Sequence, residues 1–109
     1  MTYAEISQMI SAVGVPYAYH HFEEGSGQQP PFITFYYQGD SDFKADDINY
    51  AAIRPLTIEL YTDNKDFALE AAVESVLTAN GLTFSRSEIF IDSEQMYMVT
   101  YNTEVLINA

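Results

Sequence analysis

Near the N-terminus Ile6, Met9, Ile10 and Val13 recur at the spacing of one helix face. Thr2 and Glu5 stand at capping-box spacing, in which a hydroxyl and a carboxylate each satisfy an orphan N–H, and Gly14 with Pro16 ends the helix. The aromatic-rich run Tyr17 to Phe22 predicts a short strand, and Glu23 to Pro31, with two glycines and two prolines, predicts a loop. Phe32 to Tyr37 is apolar or aromatic on both alternating faces, the pattern of a strand covered on both sides. Leu56, Ile58 and Leu60 then alternate with Thr57, Glu59 and Tyr61, one face buried and one wetter. Pro55 has no N–H to give to a ladder, so this strand is expected to begin there or to run along a sheet edge.

A second helix follows, with Asp66 as its cap and Phe67, Leu69, Val73, Val76 and Leu77 as its apolar stripe. Glu70 and Glu74 are expected on its outer face, and Asn80-Gly81 supplies a left-handed stop. Leu82 to Ile91 and Met96 to Ile107 read as two strands joined by a tight turn at Asp92-Ser93-Glu94-Gln95; Tyr97, Val99, Tyr101, Val105 and Ile107 share one face of the last. The order is helix, two strands, a long loop, strand, helix, hairpin. It predicts a single α+β domain of about five strands, mostly antiparallel or mixed, with two helices packed on the sheet.

A chain of 109 residues is the size of one domain, and 48% hydrophobic residues are enough for a core. Sixteen Asp and Glu against four Lys and Arg give a net charge of -12. So acidic a chain is a poor candidate for reading nucleic acid, because phosphate contacts need basic side chains, and Lys44, Arg54, Lys65 and Arg86 lie far apart along it. Acidic chains are often disordered, but 15% aromatic residues argue for folding. With no cysteine there is no disulfide, Cys-based zinc site or thiol nucleophile. No basic start leads into an apolar run and no apolar stretch nears a membrane span, so neither a signal peptide nor a membrane partner is expected, and the start at Met1 suggests the native chain.

Catalytic and metal sites are not expected, nor is a cofactor. His20 and His21 are adjacent, so on a strand they would point to opposite faces and could share neither a metal nor a nucleophile. Asp40-Ser41-Asp42 opens like a calcium loop, but Lys44, Ala45 and Ala51 stand where a ligand, a glycine and a bidentate Glu are needed. Glu23, Glu24, Glu59 and Glu88 read as solvated carboxylates rather than a converging acid–base pair, and Ser85, Ser87 and Ser93 have no nucleophile-elbow context. Gly25-Ser26-Gly27 lacks the ending and the following helix of a phosphate loop.

The segment Ile58-Glu59-Leu60-Tyr61-Thr62-Asp63-Asn64-Lys65-Asp66 with Leu69-Glu70, Val73-Glu74 and Leu77 resembles a family of small proteins encoded in siphophage and Gram-positive prophage morphogenesis clusters. The likeness continues through Ser93-Glu94-Gln95-Met96-Tyr97 and Tyr101, and upstream through Pro31-Phe32-Ile33 and Asp42-Phe43-Lys44-Ala45-Asp46. Phe67 departs from the Pro that relatives often carry in the first helical turn. Members of that family lie between the head–tail connector genes and the major tail protein gene and are known as tail-component, tail-completion or tail-terminator proteins.

The resemblance implies a structural virion protein, found in host cytoplasm during assembly. It would be a homo-oligomeric ring, hexameric in the better-known long-tailed phages, that sits on the last tube ring, stops polymerisation and offers a head-docking surface. Its implied partners are copies of itself, the major tail tube protein and the head–tail connector proteins, with DNA passing the channel without specific binding. Phe43, Ile48 and Tyr50, apolar residues in the acidic loop from Gly39 to about Ala52, are the candidate subunit or tube interface, because buried aromatics anchor interfaces. Composition alone leaves a different class open, an acidic DNA mimic that blocks a host nuclease or restriction system. A head-side completion protein also remains open.

Overall fold

The computed structural model describes residues 1–23, 25–38 and 52–108. Helix α1 (Tyr3–Ser11) starts on the expected box: Glu5 N–H donates to Thr2 Oγ1 at 3.1 Å, and Thr2 N–H donates to Glu5 Oε1 at 2.8 Å. The Thr2 donors hold the Glu5 carboxyl below its ordinary value, because they favour the charged form. Strands β1 (Tyr17–Tyr19), β2 (Phe32–Tyr37) and β3 (Ala52–Thr62) follow, then α2 (Phe67–Ala79), β4 (Phe84–Ile91) and β5 (Met96–Ile107). Asp66 Oδ1 caps α2 by accepting from Leu69 N–H at 2.9 Å. At its other end Gly81 takes φ +74, Gly81 N–H reaches Thr78 O and Leu82 N–H reaches Leu77 O, the paired bonds that satisfy the last carbonyls of a helix.

The five strands form one mixed sheet in the order β1-β2-β3-β5-β4, parallel only between β1 and β2. Both helices lie on one face. Ile6, Met9 and Ile10 of α1 and Val73 and Leu77 of α2 are buried with Ile33 and Phe35 of β2, Leu56, Ile58 and Leu60 of β3, and Val99, Tyr101, Val105 and Ile107 of β5. This is the α+β domain with two helices on a sheet that the periodicities predict. The sheet's other face carries Thr34, Thr57, Glu59, Tyr61 and Asn102 and is covered by no helix among the described residues.

Four expectations are corrected. Pro55 lies inside β3, the central strand, opposite Glu104 of β5. Its C=O accepts from Gln38 N–H at 3.1 Å, and the only ladder bond its ring deletes is the reciprocal one, just beyond the last β2 pair, Tyr37↔Leu56. The proline therefore ends β2 rather than marking an edge. Strand β1 stops at Tyr19 instead of Phe22, because His20 takes a left-handed φ of 68 and turns the chain out of the sheet. Phe67, placed in the apolar stripe, is 71% exposed, with Lys65 Nζ over its ring at 5.1 Å. Glu70, placed on the outer face, is 2% exposed.

Candidate assembly surface

The sheet's β1 end carries an aromatic surface built by strand alternation. Tyr17 and Tyr19 pair in register with Ile33 and Phe35, so both project to the helix-bearing face beside Phe35 and Tyr37, and α1 brings Tyr3 to the same place. Tyr3 meets Tyr37 edge-on at 5.0 Å, Tyr19 meets Phe35 edge-on at 5.3 Å, and Tyr19 stacks on Tyr37 at 5.8 Å. Arg54 of β3 lies over the Tyr37 ring at 5.9 Å. Burial, with neighbouring Tyr3 and Tyr19, pushes the Tyr37 hydroxyl up to about 12, against the opposing pull of Arg54. The Tyr37 hydroxyl is buried and has no hydrogen-bond partner among the described residues. Tyr3, Tyr17 and Tyr19 stay open, 49%, 38% and 52% exposed, and Tyr3 and Tyr19 with Phe35, Tyr37 and Arg54 line an open groove of about 390 Å³.

That surface lies where β2 ends and β3 begins, on either side of residues 39–51. Phe43, Ile48 and Tyr50, the interface candidates read from the sequence, lie outside the described residues, as do Asp40, Asp42 and Lys44 of the calcium-like stretch. Tyr37, shortly before that segment in the chain, and Arg54, shortly after it, are both members of the aromatic surface. Alternation held the signal: Tyr17 and Tyr19 share one face of a short strand and Phe35 and Tyr37 one face of the next, and the pairing of the two strands joins them into one aromatic face.

A second cluster stands at the opposite edge of the sheet. Glu70 of α2 is ion-paired to Arg86 of β4 and to Lys65, Lys65 also binds Glu88 of β4, and Arg86 lies 3.6 Å from Glu88 and 3.8 Å from Glu74. Tyr101, fully buried, donates its hydroxyl to Glu74 Oε2 at 2.9 Å. Burial and the Glu74 carboxylate drive the Tyr101 hydroxyl far above its ordinary value. Burial works against the charge on Lys65, but its bonds to Glu70 and Glu88 outweigh it and raise the ammonium's pKa. Glu88 is thus neither isolated nor simply solvated, and Lys65 and Arg86, far apart in sequence, meet around one carboxylate. A sign of this was in the sequence: Glu70 and Glu74 are a like-charged i, i+4 pair, which a helix tolerates better with a cation between them.

On the helix-free face, Glu59 Oε1 accepts from Thr34 Oγ1 at 3.0 Å and from Tyr61 Oη at 3.3 Å. Burial, then the Glu59 charge, pushes the Tyr61 hydroxyl up to about 12. The expected separation of the two histidines is corrected: because β1 ends at Tyr19, their rings meet, with His20 Nδ1 and His21 Nδ1 2.9 Å apart. One nitrogen of such a pair donates and the other accepts. They border an open groove of about 620 Å³ with Phe22, Phe32, Tyr61 and Met96. Among the described residues no group of three or more His, Asp or Glu could hold a metal, and no helix is long and apolar enough to cross a membrane. Ser85 and Ser87 are exposed on β4, and Ser93 sits in the β4–β5 turn. No protein-family model, curated protein or solved structure matches the chain.

Proposed function

We propose that this chain is a structural morphogenesis protein of a long-tailed phage, a tail terminator or tail-completion protein. In this reading it forms a ring at the head-proximal end of the tail tube, stops tube growth and gives the head a surface to dock on. It is not an enzyme and takes no cofactor; its partners are copies of itself, the tail tube protein and the head–tail connector. The observation that carries the reading is the aromatic surface at the β1 end, where Tyr3, Tyr17 and Tyr19 are exposed around a buried Phe35. Tyrosines are rigid, amphipathic and enriched at the centres of protein interfaces, and three of them open on one 109-residue domain are ready to be covered by a neighbour. A neighbour that covers them with a different patch of its own makes a heterologous contact, and such contacts close into a ring when the rotation permits. The net charge of -12 suits a channel wall that must let DNA slide, because negative walls repel phosphates.

The test is electron microscopy of particles assembled without the protein. Filled heads separated from tails, with tails of abnormal length, are the expected result. Normal infectious particles from a clean deletion contradict the proposal.

A further inference from the structure

Strand β4 is an open edge of unusual make-up. It runs from Phe84 to Ile91, pairs among the described residues only with β5, keeps an unbroken register with it from Phe84↔Thr103 to Ile91↔Met96, and contains neither proline nor glycine. Proteins normally blunt such an edge with a bulge, a proline, a very short strand or charged side chains, because its free N–H and C=O groups invite a further strand; of these β4 has only the charges of Arg86 and Glu88, which are of opposite sign and can answer each other across a pair of copies. The opposite edge is blunted in that way: β1 has three residues and ends at the left-handed His20.

We propose that β4 pairs antiparallel with β4 of a second copy of this chain across a two-fold axis through Ser87, joining the two sheets into one. An antiparallel edge contact with two-fold symmetry keeps each residue opposite one on the same sheet face, so the axis must pass through a residue. Centring on Ser87 places Arg86 opposite Glu88 of the other copy, twice, and Phe84 opposite Phe90, twice, on the helix-bearing face; on the other face it places Ser85 opposite Ile89. Centring one residue earlier sets Arg86 against Arg86, and one residue later sets Glu88 against Glu88; like charges directly opposite destabilise a strand pair, whereas opposite charges and aromatic pairs stabilise it. About Ser87 alone, the strand laid against its own reverse sets opposite charges together and aromatic rings together.

The surroundings favour a second copy as the occupant. In a chain of net charge -12, two of the four fixed cations, Lys65 and Arg86, sit at this edge, and the group of Glu70, Glu74 and Glu88 with these two is almost charge-balanced. Here two acidic copies can approach with little repulsion. Arg86 and Glu88 keep 39% and 37% of their side chains exposed, and Ile89 and Phe90 are 52% and 43% exposed, so the edge has both charge and apolar area to offer. This contact does not rest on the ring: a cyclic ring is built from heterologous contacts, and this one is isologous, the form of the free chain.

The native sequence has no cysteine, so single cysteines report the register without background. Purified protein is expected to sediment as a dimer at micromolar concentration. Under mild oxidation Ser87→Cys is expected to give a covalent dimer at least about tenfold faster than Ser85→Cys, because Cβ atoms of residues directly opposite lie about 5 Å apart while Ser85 faces Ile89. A monomer at these concentrations, or equal crosslinking at the two positions, overturns the proposal. Neither result bears on tail assembly, which the deletion particles report separately.

Discussion

Replacing Arg86 with Met is expected to destabilise the fold by roughly 2–3 kcal/mol, while Glu70→Met costs about 1 kcal/mol and the double substitution recovers most of the Arg86 loss. The asymmetry follows from the count of charges around α2 and β4. Three carboxylates, Glu70, Glu74 and Glu88, share two cations, Lys65 and Arg86. Removing Arg86 leaves Glu70, whose side chain is only 3% exposed, with Lys65 alone and two like charges close by. Removing Glu70 instead leaves each cation another carboxylate and puts an apolar side chain into a buried place. The Arg86 figure is at the low end for breaking a buried pair because the guanidinium keeps 39% of its side chain in water. Urea unfolding of the three variants in dilute solution measures this; equal losses for the two single substitutions, or no recovery in the double, contradict it.

Alkaline pH is expected to unfold the protein well before its arginines titrate. Tyr37 and Tyr61 are pushed up to about 12 in the fold, and Tyr101 higher still, from an ordinary value of 10.0. Lys65 is raised as well. In each case the folded pKa lies above the unfolded one, so the stability these groups contribute is complete below about pH 10 and is lost as pH rises from there through the folded values. Between about pH 10 and pH 12 the unfolded chain releases protons that the native chain still holds, and the urea midpoint falls steadily. Part of the tyrosinate absorbance should therefore appear only with loss of far-ultraviolet circular dichroism. Full tyrosine titration near pH 10 in a chain that stays folded contradicts the burial of these hydroxyls.

Local chemistry made the elements legible in the sequence. The Thr2–Glu5 box, the Asp66 cap and the Asn80-Gly81 stop are each short-range, and each helix begins or ends on them. The alternation of β5 from Tyr97 to Ile107 set its buried face, and the structure keeps all five named residues on it. Long-range neighbours could not be read this way. Pro55 signals an edge only while its partners are unknown; with Gln38 opposite, it ends β2 inside a central strand. Glu70 looks solvent-facing on a helical wheel until Arg86, sixteen residues on, is laid against it by the β4 register. His20 and His21 separate only on an extended backbone, and a single left-handed φ brings their rings together. At the candidate surface, the sequence pointed to Phe43, Ile48 and Tyr50; the described residues contribute the aromatic cluster on either side of that segment, assembled from α1, β1, β2 and β3.

Cryo-electron microscopy of the head–tail junction of the intact particle tests the assembly role most directly. The reading predicts a closed ring of this α+β domain between the last ring of the tail tube and the connector, with Tyr17 and Tyr19 covered by the neighbouring subunit. A complete junction built without this chain, or a ring in which those tyrosines face open solvent, contradicts it.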